Sequence, residues 1–141
     1  MIKFLLYLWQ LPQNIVALIW WGLLTIAYKG EFESYDYNGV KYIWFPKWIC
    51  GVSLGNYVIL GGYYGEDIVV VKHEYGHTRQ SVYLGPLYLL LIGLPSGLWN
   101  LIDRLLMRLF PEYIQKSRKI YYNMPWEKWA DILGGVTRHF D

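Results

Sequence analysis

Residues 4–28, FLLYLWQLPQNIVALIWWGLLTIAY, contain no charged side chain. As a helix rising about 1.5 Å per residue, such a run can cross the hydrocarbon core of a bilayer, which is about 30 Å thick. Polar residues between positions 10 and 14 interrupt it, so the cleaner span is 11–28. We expect a retained membrane anchor at 1–28. A cleaved signal peptide is the alternative, but the run is long and shows no convincing small-x-small cleavage site.

The composition is typical of a protein that partly faces lipid. Hydrophobic residues make up 55% of the 141 residues and charged residues 17%, with eight Trp and fourteen Tyr. Trp and Tyr concentrate where apolar and aqueous regions meet. A net charge of +2 without a basic stripe argues against nucleic acid as a partner. Since Cys50 is the only cysteine, the chain has no internal disulfide. We predict one domain, 1–141, associated with a lipid bilayer.

The stretch 29–82 predicts a sheet followed by a helix. Asn38-Gly39 before VKYIWF is a turn signal, and GVSLGNYVILGG (51–62) has the residues of a strand closed by glycines. Gly65-Glu66-Asp67 then supplies a helix start, and Gly85-Pro86 a helix end. We therefore expect an α+β fold in which a short antiparallel sheet precedes this helix.

The sequence HEYGH places His73 and His77 four residues apart, with Glu74 beside the first. On a helix both imidazoles leave one face, a turn apart, so both can bind one metal ion. Zn²⁺ suits two neutral imidazoles and a third protein ligand, with one position left for water. The ion lowers the pKa of that water to about 7, and Glu74 is placed to take its proton. The alternative is a helix with two buried, hydrogen-bonded histidines, but Gly76 in mid-helix costs about 1 kcal/mol and argues against it.

A zinc site of this kind needs a third protein ligand, and WEKWADILGG supplies the best candidates. Glu127 and Asp131 are four residues apart, so on a helix the two carboxylates repel each other unless a cation lies opposite. We expect Glu127 to bind the metal and Asp131 to accept the N–H of a ligating imidazole. Glu127 could instead be an ordinary helix-start carboxylate, three residues after Met124. The other candidate ligands are isolated in the sequence: Glu112, His139 and the acidic cluster near residue 31.

HEYGH (73–77) followed by EKWAD (127–131) resembles the HExxH…ExxxD signature of the gluzincin metallopeptidases. The closest likeness is to their membrane-bound branch, which includes the CAAX prenyl proteases and the heat-shock membrane protease, and to small bacterial membrane proteins that carry HExxH. The resemblance covers about ten residues in two blocks. It implies a zincin-like fold, zinc as the cofactor, and hydrolysis of a peptide or protein substrate.

The resemblance also implies where the substrate lies. In gluzincins the strand before the zinc helix pairs with the extended backbone of the substrate. The matching stretch here is 53–60, which implies substrate contacts at Leu54, Gly55, Asn56 and Tyr57. No single residue stands out as the partner of the oxyanion. The candidates are Tyr121, Tyr122, Arg79 and His139.

The metal site restricts the path of the apolar segment 83–110. His77 and Glu127 must meet at one ion, so the chain between them leaves and returns to the same side of any membrane. Breaks at Gly93 and Pro95 favour a re-entrant segment or one that lies in the interface. Basic residues between 104 and 119 favour the cytoplasmic side. The remainder, 111–141, carries the third-ligand helix and a tail.

These features together predict a membrane-anchored zinc metallopeptidase of gluzincin type. One alternative is a membrane-associated zinc-binding scaffold or interaction protein without catalysis, in which a fourth protein side chain closes the metal site. Another is an intramembrane protease with its zinc inside the bilayer. The polar neighbours of the first histidine argue against this last alternative: Lys72, Thr78, Arg79 and Gln80.

Overall fold

Six α-helices and a four-stranded sheet make up residues 1–140, the part of the chain that this computed structural model describes. The helices are α1 (Ile2–Trp9), α2 (Leu11–Ala27), α3 (Ile68–Leu84), α4 (Leu94–Leu109), α5 (Ile114–Tyr122) and α6 (Pro125–Gly134). The strands are β1 (Glu33–Tyr37), β2 (Val40–Phe45), β3 (Gly51–Leu54) and β4 (Tyr57–Gly61). The class is α+β, as predicted. Asp141, the last residue of the predicted tail, lies outside the described residues.

The sheet is mixed, so the prediction of an antiparallel sheet was wrong. Its strand order is β1-β2-β4-β3, and β2 and β4 are parallel while the outer pairs are antiparallel. The stretch 51–62, predicted as one strand, is a hairpin that turns at Gly55-Asn56. Because β3 takes the edge, the returning β4 lies beside β2 and runs in the same direction. The turn predicted at Asn38-Gly39 is confirmed, and both residues have positive φ.

Helices cover both faces of this sheet. One face packs against α3 through the cluster Val40, Tyr42, Val58, Leu60 and Val71. The opposite face packs against α2 through the cluster Leu24, Ile43, Phe45 and Ile59. Strands β2 and β4 are therefore buried on both sides, which explains their nearly continuous apolar sequences. The helix α2 is thus packed against the sheet as part of the domain.

The apolar N-terminal run forms two helices that bend by 78° at Gln10. Gln13 and Asn14, which follow this bend, are fully buried and bind the rest of the domain. Gln13 Nε2 donates to Ser81 Oγ at 2.9 Å, and Asn14 Oδ1 accepts from the backbone N–H of Asn56 at 2.9 Å. The residues that interrupt the apolar pattern therefore attach α2 to the end of α3 and to the β3–β4 turn.

The apolar segment after α3 is a continuous helix, so the prediction of a break at Gly93 and Pro95 was wrong. A π-helical turn, Leu89–Gly93, runs directly into α4, and Pro95 is the second residue of α4. Among the described residues, Leu89–Leu109 is the one helix long and apolar enough to cross a membrane; the bent α1–α2 pair would add a second if it counted as one span. The chain then returns through α5.

Replacing Asn14 with leucine is expected to lower the free energy of unfolding by about 1–3 kcal/mol, because the partly buried N–H of Asn56 loses its acceptor. Val16→Leu, at an exposed position of the same helix, is the control and should change it by less than about 0.5 kcal/mol. Denaturant titration of both variants in the same detergent measures the difference. Equal effects of the two substitutions would contradict the role given to Asn14.

Candidate metal centre

Helix α3 carries both histidines on its buried face. Asp67 caps the helix, since its side chain accepts from the backbone N–H of Val69 at 2.8 Å. The three valines that follow this cap, residues 69–71, are β-branched and by themselves favour a strand. They are helical here because Val71 packs in the core. His73 and His77 are 4% and 6% exposed, and their ring centroids are 4.8 Å apart. The helix predicted from the HEYGH spacing is confirmed.

Helix α6 crosses α3 at backbone contact distance because glycines lie at the crossing. A Cβ atom on Gly76 would overlap the carbonyl oxygen of Ala130, and one on Gly134 would overlap the carbonyl oxygen of Lys72. Any side chain at either glycine would force the two helices apart. The glycine in HEYGH is therefore explained by helix packing, which brings the carboxylates of α6 to the two imidazoles.

Glu127 is fully buried between the two histidines. Its Oε2 atom lies 3.1 Å from Nε2 of His73 and 3.1 Å from Nε2 of His77. Its other oxygen, Oε1, accepts a hydrogen bond from Ser96 Oγ of α4. The carboxylate thus faces the imidazoles, although Met124 is the N-cap of α6 as the helix-start alternative proposed.

The arrangement of these three residues fits a metal ion. Their ligand atoms all lie within 4.8 Å of one another. In a tetrahedral site with bonds of about 2.0–2.1 Å, ligand atoms lie about 3.3 Å apart, close to the two observed distances of 3.1 Å. Two imidazoles and one carboxylate are also a common donor set for catalytic zinc. His73, His77 and Glu127 could therefore hold a metal ion, as the sequence predicted.

Hydrogen bonds determine which nitrogen of each ring faces the centre. His73 Nδ1 donates to Asp131 Oδ1 at 2.7 Å, the contact expected for this aspartate. His77 Nδ1 donates to Gln80 Oε1 at 2.8 Å. The amide orientation of Gln80 follows from its Nε2, which donates to the carbonyl of Trp126 at 2.7 Å. Both Nε2 atoms consequently point at the shared carboxylate, and when neutral each offers a lone pair there.

Arg138 extends the network behind His73. Its guanidinium donates to both oxygens of Asp131, with N–O distances of 2.8 and 3.1 Å. It also stacks over the ring of Tyr122, 3.4 Å from the centroid, and that ring packs edge-on against His73. Asp131 therefore has two cationic or donor partners, which hold its carboxylate and the His73 ring in one orientation.

Three of these supporting residues were not assigned from the sequence. Gln80 lies three residues after His77 on the same helix face, so a search for a partner of the second imidazole could have found it. Nothing in the local sequence marks Ser96 or Arg138, because each reaches the centre only through the packing of its segment.

Burial and charge have opposite effects on the acid–base groups of the centre. Burial lowers the pKa of His73, but hydrogen bonds with Asp131 and Glu127 raise it by more, to about 9. Burial raises the pKa of Glu127, but the two histidines outweigh it and hold that pKa well below its usual range. Asp131 shows the same balance, and its pKa is lowered by His73 and Arg138. In the metal-free protein at neutral pH, His73 is therefore protonated, and its positive charge lies between the ionised Glu127 and Asp131 carboxylates.

Glu74 lies on the side of α3 that faces the sheet edge. Its Oε2 accepts a hydrogen bond from Ser53 Oγ at 2.5 Å. A Cβ atom on Gly51 would lie 3.1 Å from its Oε1. Both residues belong to β3, the edge strand of the sheet. The candidate base and the edge strand are therefore neighbours, as the resemblance implies.

The free part of the strand edge is shorter than expected, because Ser53 is buried and its carbonyl accepts a hydrogen bond from the Tyr88 hydroxyl at 2.9 Å. Gly55 and Asn56 form the hairpin turn that Asn14 holds, and Tyr57 begins β4, which is paired on both sides. The prediction of one extended strand over 53–60 was wrong because the hairpin was not recognised. Of the four residues predicted to contact substrate, Leu54 alone lies on the edge strand.

Two of the four oxyanion candidates lie beside the centre. Burial and the nearby Glu127 carboxylate raise the pKa of Tyr121, so its hydroxyl stays protonated and can donate. Tyr122 packs on the first imidazole. Arg79 instead stacks on a tyrosine of its own helix, and His139 is exposed in the tail. The two tyrosines therefore remain as candidates.

Comparison with known proteins gives no match to a protein-family model, a curated protein or a solved structure. The function of this chain is therefore inferred from the geometry of the centre and from its two motifs.

Gly76→Ala is expected to abolish stoichiometric metal binding, because the added methyl group would separate α3 from α6 and move Glu127 away from the histidines. Gly22→Ala is the matched control: this glycine is also helical, but no atom lies within 4 Å of the added Cβ. Metal content after equilibrium dialysis measures both variants. Full metal content in Gly76→Ala would contradict the packing argument.

Metal binding at pH 7 is expected to release about one proton, since His73 with a pKa of about 9 must lose its proton before it can bind a metal. The apparent affinity should rise by about tenfold per pH unit until the pH reaches that pKa. Calorimetric titration with zinc in two buffers of different ionisation enthalpy measures the proton release. Asp131→Asn should release less, because it removes a hydrogen bond that raises the pKa of His73. Binding without proton release in the wild type would contradict this reading.

Proposed function

We propose that this protein is a membrane-associated zinc metallopeptidase of gluzincin type, with His73, His77 and Glu127 as the metal ligands. One observation carries the proposal: a single buried carboxylate oxygen lies 3.1 Å from the Nε2 atoms of two histidines one helical turn apart. That donor set leaves room for a fourth, non-protein ligand at a tetrahedral ion. Bound zinc would supply Lewis acidity, which polarises a peptide carbonyl and makes a water molecule more acidic.

Glu74 would act as the general base in this reaction. It follows His73 directly in α3, and Ser53 Oγ holds one of its oxygens at 2.5 Å. From this position the carboxylate would take the proton of the attacking water and later deliver it to the leaving amine. The accessible first half of the edge strand β3, Gly51 and Val52, would bind the substrate backbone by adding a strand, which positions the peptide bond near Glu74.

Catalysis is favoured over a purely structural zinc site by the number of ligands. Structural zinc sites usually have four protein ligands, whereas catalytic sites have three. Within residues 1–140, the group that could hold a metal consists of three side chains. The scaffold alternative requires a fourth protein ligand, and the group supplies none.

The membrane association in this proposal is supported by the exposed apolar surface. Helix Leu89–Leu109 is long and apolar enough to span a bilayer, and only 11% of its most apolar window is buried. Helix α2 also exposes large apolar side chains, among them Ile19, Leu23 and Ile26. Basic residues between 104 and 119 favour a site on the cytoplasmic side.

Zinc analysis combined with a hydrolysis assay tests the proposal. His73→Ala and Glu127→Ala should lose zinc, whereas His139→Ala, which changes the remaining histidine outside the centre, should keep it. Glu74→Gln should keep zinc but lose hydrolysis of a mixed peptide library, followed by mass spectrometry, by at least about a hundredfold. Equal zinc in all variants would overturn the metal site, and loss of zinc in Glu74→Gln would overturn its role as a base.

A further inference from the structure

Helix α4 has two opposite faces of different character. The leucine face consists of Leu94, Leu98, Leu101, Leu105 and Leu109, all of which are 54–66% exposed. At about 100° per residue these five side chains fall within an arc of about 80°. The opposite side of the helix carries Ser96, Asn100 and Asp103. Such a division is typical of a helix that lies between a polar and an apolar phase.

The polar side of α4 is attached to the domain along most of its length. Ser96 in the first turn binds the carboxylate of the candidate metal centre. Asp103 Oδ1 accepts from the hydroxyl of Tyr113 at 2.8 Å. Arg104 donates to Cys50 Sγ at 3.0 Å. The helix therefore cannot move into a bilayer without the elements that it contacts.

Those elements carry charges that oppose a transmembrane position. Helix α5 packs beside α4 and exposes Lys116, Arg118 and Lys119. A basic side chain at the bilayer centre costs about 2.5–3.5 kcal/mol on insertion scales. The length and composition of Leu89–Leu109 permit a crossing, but its contacts and the charges of its neighbour favour a position along the surface.

We propose that α4 lies parallel to the membrane plane, with its leucine face in the acyl chains of one anionic leaflet and no crossing. Leu87, Leu90 and Leu91 in the preceding turns are 52–62% exposed and extend the leucine face. Arg108 lies at its border in the last turn of α4, where the long side chain can reach lipid phosphates. A wholly aliphatic face bordered by cations matches the acyl and phosphate layers of an anionic leaflet.

This position also determines the depth of the candidate metal centre. Ser96 donates to Glu127 of the centre from one side of α4, while Leu94 and Leu98 are exposed on the opposite side of the helix. A helix with side chains is about 10 Å across, so the centre lies about one helix diameter above the acyl chains. The consequence for the substrate, which rests on the proposed function, is that the peptide is cleaved at the membrane surface and not at the bilayer centre.

Depth measurements along the leucine face test this position directly. Nitroxide labels on single cysteines at positions 94, 98, 101, 105 and 109, each in a Cys50→Ser background, are placed in vesicles of phosphatidylcholine and phosphatidylglycerol. Power-saturation EPR with oxygen and a water-soluble relaxant then gives the depth of each label. Asp36→Cys is the control, because Asp36 is exposed on β1 at the far edge of the sheet. Zinc content is measured on the same samples.

The proposal predicts similar, shallow depths at all five positions, about 5–10 Å below the headgroups, and a water-exposed control label. A helix that crosses with Leu89–Leu109 in the hydrocarbon core would instead place positions 98 and 101 nearest the bilayer centre. Position 101 would then lie about 12 Å deeper than position 109, since eight residues rise by that amount. A depth maximum at positions 98 and 101 would overturn the proposal. So would water-like accessibility at all five labels, or protection by a second copy of the chain without vesicles. Loss of zinc with an even depth profile would count against the proposed function alone.

Discussion

Burial of a charged carboxylate costs free energy unless hydrogen-bond donors or positive charges surround it. This constraint determines the arrangement of the centre of the protein. Glu127 has no exposed surface, and an ionised carboxylate buried without partners is strongly unfavourable. Two imidazoles from α3 and the hydroxyl of Ser96 from α4 provide the compensation. Three helices must therefore meet at one point. A divalent cation would supply the positive charge there, and a proton on His73 supplies it in the metal-free protein.

The same principle explains the polar residues within the apolar segments. Gln13 and Asn14 interrupt the N-terminal run because they bind the end of α3 and the β3–β4 turn. Ser96 and Asp103 interrupt the leucine pattern of α4 because Ser96 binds Glu127 in the candidate metal centre and Asp103 binds Tyr113, which directly precedes α5. In each segment most of the large apolar side chains are exposed, and the polar ones attach the helix to the domain. This inversion is expected of a small protein whose apolar surface is in contact with lipid.

The candidate site could largely be predicted because its spacing is local. His73 and His77 share a helix face by virtue of a four-residue separation, and the same separation places Asp131 beside Glu127. Their meeting depends on a helix crossing, for which Gly76 was the one local sign. The parallel pairing of β2 with β4 could not be predicted, because it depends on recognising Gly55-Asn56 as a turn. The continuous course of this helix was missed because Pro95 looks like a break, whereas the backbone passes from the π-helical turn Leu89–Gly93 into α4 without one.

We propose that one divalent ion binds both imidazoles and the Glu127 carboxylate. X-ray absorption at the zinc K-edge of the purified protein is the sharpest test, since it reports ligand type and distance together. We expect nitrogen and oxygen ligands at about 2.0–2.2 Å, with outer-shell scattering from two imidazole rings. Sulfur at about 2.3 Å, which would indicate binding at Cys50, or scattering from fewer than two imidazoles, would contradict it.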